Sequence, residues 1–238
     1  MTEKELPKLD WVPRHDPRSR DYPIRAAIGH AVPRRNKRYT PAAPLNQKAE
    51  GACVGFAWTG EALSTPVRVD LPKLAHRPAN ITQPDSLARW VYREALKIDE
   101  WDGEEDTGTS VLAGAKILKN RLGVLKEYRW AFNIDDLVDG LISAGPAVLG
   151  IPWLEDMYEA PNGVLTASGH EVGGHAILAY GYSMEDPRID GENGVLLHNS
   201  WGLDWGVKGN AIIRETELAM LLAHQGEACI PTRRSYGR

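Results

Sequence analysis

Asn199-Ser200-Trp201-Gly202-Leu203-Asp204-Trp205-Gly206 is the most informative stretch of this chain. Two tryptophans and two glycines at this spacing after an asparagine are hard to obtain by chance. An apolar run precedes it, Gly194-Val195-Leu196-Leu197-His198, and another follows, Asn210-Ala211-Ile212-Ile213. Each has the length and content of a short strand, so the octapeptide reads as a connection between two strands.

Further upstream, Ala147-Val148-Leu149-Gly150-Ile151 and Ala176-Ile177-Leu178-Ala179-Tyr180 are two more such runs, separated by glycines and Asp/Asn clusters. Before Gly145-Pro146 the texture is helical. Gly51 to Leu63 reads as a loop entering a helix, and 64–84, rich in proline, as a loop. Ser86 to Ile98 reads as a partly buried helix capped by Ser86. Thr109 to Leu122 has Val111, Ala115, Leu118 and Leu122 on one face and stops at Gly123, and Asn133 caps a helix to Ser143. Helices first and strands later predict an α+β chain of two segregated lobes. Residues 47–145 form the expected helical lobe and 146–238 the β-rich one. Residues 1–46, with Pro7, Pro13, Pro17, Pro23, Pro33, Pro41 and Pro44, form an extended or irregular arm. Its basic run Arg34-Arg35-Asn36-Lys37-Arg38 reads as a solvated linker rather than a nucleic-acid contact.

The chain has 238 residues, 42% hydrophobic and 25% charged, with a net charge of −4, which fits a globular protein and gives no global reason to expect nucleic acid or an anionic membrane as partner. With only Cys53 and Cys229 there is no disulfide framework. No apolar run approaches membrane-span length, and Met1-Thr2-Glu3-Lys4-Glu5 leads into no apolar signal segment, so a cytoplasmic monomer is expected. The carboxylates of 99–106 lack the alternation of a calcium loop.

A lone cysteine opening a helix, with His and Asn far downstream, is a candidate nucleophile. A thiol is a weak nucleophile until its thiolate is stabilised, and a helix N-terminus or a neighbouring imidazolium does that. Cys53 follows Gly51-Ala52 at the start of the expected helix. Gln47 lies six residues upstream, and His175 stands in Gly174-His175-Ala176 at a strand start.

With Gln47, Cys53, His175 and Asn199 in that order, and the Trp201/Trp205 block after the asparagine, the chain resembles the papain-like cysteine peptidases from Gln47 to about Arg214. The stretches 86–98 and 106–110 look more like the bacterial and phage branch. The resemblance implies a two-lobe fold, helical lobe plus β-barrel-like lobe, with the active-site cleft between them. It implies Cys53 as nucleophile, sharing a proton with His175 as a thiolate–imidazolium pair. Asn199 orients the imidazole, Trp201 shields that bond from water, and Gln47 lines the oxyanion hole with the Cys53 N–H. Trp205 would wall the leaving-group side, and Gly108, Thr109 and Gly174 would lie along an extended peptide or protein substrate. No cofactor or metal is implied. Related thiol chemistry (amidase, transpeptidase, isopeptidase) and a catalytically silent binding module remain open alternatives.

Several residues depart from the family. Val54 and Gly55 follow the nucleophile where many relatives have tryptophan, and Glu50 stands where many have a second cysteine. Gly150 and Gly173 fall where relatives have bulkier residues, which predicts a roomier non-primed side. The arm is too short for the usual helical propeptide and is expected to pack along the second lobe.

Overall fold

The computed structural model describes residues 6–13, 16–74, 76–99 and 108–235. Its helices are α1 (Ile24–Ile28), α2 (Cys53–Ala62), α3 (Pro84–Leu96), α4 (Val111–Asn120), α5 (Ile134–Ser143) and α6 (Glu215–Ala223). Its strands are β1 (Lys37–Arg38), β2 (Leu125–Ala131), β3 (Ala147–Leu154), β4 (Val164–Leu165), β5 (Glu171–Asp186), β6 (Glu192–His198), β7 (Asn210–Arg214) and β8 (Glu227–Arg234). The architecture is α+β, organised on one sheet in the order β2-β8-β3-β5-β6-β7-β4, with β1 on β5. Adjacent pairs are antiparallel except β4–β7.

Side-chain alternation explains why these strands read as unbroken apolar runs. Along β3, Val148 faces one core while Ala147, Leu149 and Ile151 face the other; along β5, Leu178 faces the first while Ile177 and Ala179 face the second. The first core is filled by α2, α3 and α4, and the second by α1, α5 and α6. Both faces are covered, so no polar period appears.

Every residue of α2 is buried, which makes it the central helix. Trp58 Nε1 donates to the Val111 carbonyl at 2.9 Å, tying α2 to α4. Gly55 is required by packing: a Cβ there would lie 2.2 Å from the Ala88 carbonyl oxygen of α3. The glycine in the first turn thus lets two helices touch, which explains its departure from the family pattern. α3 begins at Pro84 rather than at a Ser86 cap. Proline at the first helical position forfeits no hydrogen bond and has the required φ. Asn133 does cap α5, its side chain accepting from Asp136 N at 2.9 Å.

The helical lobe ends near Val124, earlier than 145. β2 joins the sheet beside β8 and α5 lies in the second core, while Leu125 and Trp130 of β2 still face the first. The arm also differs from a linker. Its basic run is docked: Lys37 and Arg38 form β1, and Arg34 pairs with Asp135 and Glu215 at 2.5 and 3.0 Å. Most of the arm follows the β-rich half, but residues 8–12 leave it for the cleft. Of the acidic stretch 99–106, residues 100–106 lie outside the described residues.

Candidate active site

Cys53 is the first residue of α2, after the non-helical Ala52, so its backbone N–H has no partner within the helix. His175 lies on β5, paired with Ile151 of β3. Its Nε2 is 2.8 Å from Asn199 Oδ1. That oxygen also accepts from Ser200 N at 2.8 Å, and Asn199 N donates to the Gly209 carbonyl, so the amide is held from two sides. His175 Nδ1 is buried with no hydrogen-bond partner, which leaves it as the ring nitrogen able to exchange a proton with a thiol.

Trp201 lies over the imidazole, with ring centroids 4.8 Å apart, and Trp153 of β3 meets it edge-on at 4.6 Å. Tyr158 stacks on Trp201 with centroids 5.6 Å apart, and Trp205 meets Trp201 edge-on at 6.0 Å. Trp153 and Tyr158 were not singled out from sequence. Trp153 has only the alternation of β3 to place it, two positions beyond the partner of His175.

Gln47 is fully buried. Its Oε1 accepts from Ser200 Oγ at 2.7 Å, and its Nε2 donates to the Glu50 carbonyl at 2.8 Å and to Lys8 O at 3.2 Å. Ser200 thereby fixes which end of the amide faces the cleft. Glu50, in place of a second cysteine, pairs with Arg89 at 2.8 Å.

The arm runs directly through this site. Trp11 N donates to Gly174 O at 3.0 Å, Thr109 N to Asp10 O at 3.0 Å, and Val12 N to Thr109 O at 3.2 Å. Trp11 and Thr109 form a parallel bridge, and Gly108 lies beneath the Asp10 carbonyl. The structure therefore brings Gly108, Thr109 and Gly174 together on one extended segment, with Gln47 at its other end. Trp205 is buried behind the exposed side of Trp201 and is not among the residues that contact the segment.

Cover by the arm leaves Cys53 and His175 fully buried. Burial pushes the thiol up to about 11, although backbone N–H groups of Ala176, Asp10 and Val54 favour the thiolate. Burial brings the imidazole down to about 4, opposed by the Asn199 hydrogen bond. With the arm seated, burial disfavours both charged forms of the thiolate–imidazolium pair expected from sequence. A stability prediction follows. Unfolding restores an ordinary histidine that binds a proton below about 6.5, whereas the folded one stays neutral down to about 4. The stability held by a neutral His175 is therefore lost as pH falls through that window, by about 3 kcal/mol. Urea unfolding at pH 7 and pH 4 should show this loss, reduced by that amount in His175→Asn.

His170, five residues before His175, is exposed and lies 2.9 Å from Glu155. Among the described residues, no group of three or more His, Cys, Asp or Glu converges as a metal site. Cys229 is a buried free thiol on β8, its pKa raised by burial.

Residues 118–228 match the family model described as Papain family cysteine protease. The chain is similar to the papain family over just under half of its length. The matched stretch contains His175 and Asn199 but not Gln47 or Cys53, which the fold brings to the same cleft. Among solved structures, xylellain, a cysteine protease from Xylella fastidiosa, aligns over 98% of this chain and 99% of its own at 18% identity, with a TM-score of 0.63. Digestive procathepsin L2 proteinase from Tenebrio molitor larval midgut aligns over 98% of this chain and 81% of its own at 20% identity, TM-score 0.56. These likenesses show the fold. Cathepsin J of Rattus norvegicus is 49% identical over 35 residues, 15% of this chain and only 10% of that protein's length.

Proposed function

We propose that the protein is a cysteine endopeptidase held closed by its own N-terminal arm. The observation that carries this reading is the extended segment Lys8–Val12 lying in the cleft, its main chain bonded to Gly174 and Thr109 and its Lys8 carbonyl to Gln47. A cleft that recognises main-chain groups in this way suits peptides of varied sequence.

The proposed chemistry uses four groups. Cys53 Sγ attacks the scissile carbonyl and gives its proton to His175. The developing oxyanion is met by Gln47 Nε2 and the Cys53 N–H. His175 returns the proton to the leaving amine, which departs as the thioester forms, and water then hydrolyses the thioester to release the acid and regenerate the thiol. Asn199 keeps the imidazole in plane throughout.

The arm is not cut because of its direction. The family resemblance puts the acyl half of a substrate beside Gly108 and Thr109 and the leaving group towards Trp205. The arm runs the other way, with Lys8 at Gln47 and Trp11 beside Thr109, so its amides face the nucleophile in reverse order. Two free thiols support a reducing, cytoplasmic compartment as the working environment.

The test is peptide hydrolysis by the full-length chain carrying Trp11→Ala, which loosens the arm. Cleavage is expected, abolished by Cys53→Ala and lowered about a hundredfold in kcat by Gln47→Ala, the usual cost of one oxyanion donor. Cleavage that survives Cys53→Ala would sink the proposal.

A further inference from the structure

Thr109 meets the arm through its main chain. Its N–H donates to the Asp10 carbonyl at 3.0 Å, and its own carbonyl accepts from Val12 N at 3.2 Å. Among the described residues Thr109 belongs to no strand. It stands between Gly108, at φ +94°, and α4, which begins at Val111, and its pairing is an isolated bridge to Trp11. Something other than a sheet neighbour must hold its two main-chain groups in line.

The brace is Asp99, just beyond the end of α3. Its own N–H donates to Ala95 O at 3.0 Å, which anchors it to that helix. Its Oδ2 accepts from Ser110 N at 2.8 Å and from the Thr109 hydroxyl. Ser110 N and Thr109 O belong to one planar peptide unit, whose N–H and C=O point in opposite directions. Tying the N–H back to Asp99 aims the C=O at the cleft. The hydroxyl bond holds the side chain of the same residue, so turning the unit would break both bonds. The carboxylate also polarises the peptide it holds, which strengthens the carbonyl as an acceptor. Starting α4 is a separate task with its own device: the Ser110 side chain caps it, accepting from Ala113 N at 3.2 Å.

We propose that Asp99 is a positioning residue of the cleft, aiming the Thr109 carbonyl at a backbone N–H of the chain that lies there. For the arm that N–H belongs to Val12. For a substrate the inference rests on the peptidase reading, and it gives a part in main-chain recognition to a carboxylate that touches no substrate.

The arm tests the inference without catalysis. In the full-length chain, Asp99→Ala should speed hydrogen exchange at the Val12 amide about tenfold, and alkylation of Cys53 by a similar factor, the worth of one charge-assisted hydrogen bond. Asp99→Asn keeps an acceptor for Ser110 N and should restore most of the protection. The amides of Ile117 and Leu118 within α4 should exchange at wild-type rates in both variants, whereas loss of a merely structural prop would move them with Val12. A Val12 amide unmoved by D99A, or moved in step with Ile117 and Leu118, overturns the inference.

Peptide cleavage tests the substrate half in full-length W11A. Adding D99A should raise KM about tenfold with kcat little changed, the mark of a contact made alike in ground and transition states. A substrate whose N–H facing Thr109 is replaced by an ester oxygen should show the same KM with and without D99A, because the bond that Asp99 supports is already gone. Cleavage with a KM that D99A leaves alone, on amide and ester alike, overturns the inference for substrates and keeps the peptidase. The expected exchange and alkylation pattern without cleavage of any peptide upholds Asp99 as the brace and removes the peptidase.

Discussion

Replacing Trp11 with alanine in the full-length chain is expected to raise the alkylation rate of Cys53 at pH ~6 by about two orders of magnitude. The indole is the arm's largest buried anchor in the cleft, and Trp→Ala changes at buried sites cost about 3 kcal/mol or more, with each 1.4 kcal/mol a factor of ten. What remains are the backbone hydrogen bonds of Asp10, Trp11 and Val12 and the Lys8–Gln47 contact, each worth only about 1 kcal/mol net. Once the arm lifts, water reaches Cys53 and His175. The burial that holds the thiol at about 11 and the imidazole at about 4 is relieved, so the thiolate–imidazolium form becomes accessible. Cys53→Ala should remove the fast-labelling mass, since Cys229 is buried in the sheet. Equal rates in wild type and W11A, with both proteins folded, would mean that the arm does not restrain the thiol.

Arg234→Ala should lower stability by about 3–5 kcal/mol, and melting by about 10 °C. Arg234 Nε donates to Glu61 Oε1 at 2.7 Å, with the two side chains only 6% and 1% exposed. The pair joins α2, which carries the nucleophile, to β8. The guanidinium also donates to the carbonyls of Ala144 and Pro146, at 3.2 and 3.4 Å. Burial already raises the Glu61 pKa, and Arg234 is what opposes it. Without the arginine, Glu61 must take up a proton in the folded state at higher pH than in the unfolded one. The deficit should therefore shrink as pH falls and grow as it rises. Differential scanning calorimetry at two pH values checks both the size and the sign. A double substitution to methionines should recover much of the loss, since removing both charges leaves no buried carboxylate without its counterion.

The site was legible where the chemistry is written in short segments. Gln47 and Cys53 lie within one turn-and-helix segment, His175 lies inside β5 and not at its start, and Asn199 precedes a tryptophan-rich loop, so residue type and local spacing were enough to pick out the candidates. The helices α2, α4 and α5 were legible from their apolar faces, and the core of the sheet from its runs. What failed is non-local. Nothing in Lys8-Leu9-Asp10-Trp11-Val12 announces that it lies across the nucleophile, because its partners Gly174, Thr109, Gly150 and Glu227 come from four distant segments. β2 and β8 are joined across about a hundred residues, and Pro231 and the charged Arg233 and Arg234 blur the pattern of β8. The same distance hid the contribution of 125–145 to the β-rich half.

The segment in the cleft is covalently part of the chain it occupies. It therefore competes with any incoming peptide at an effective concentration on the order of millimolar, set by the length of connecting chain and not by how much protein is present. Dilution does not release it, and a peptide of modest affinity meets a rival that is always at hand. Occupancy becomes a contest decided by how well the incomer matches the cleft, so the arm acts as a threshold that filters weak ligands before any chemistry begins.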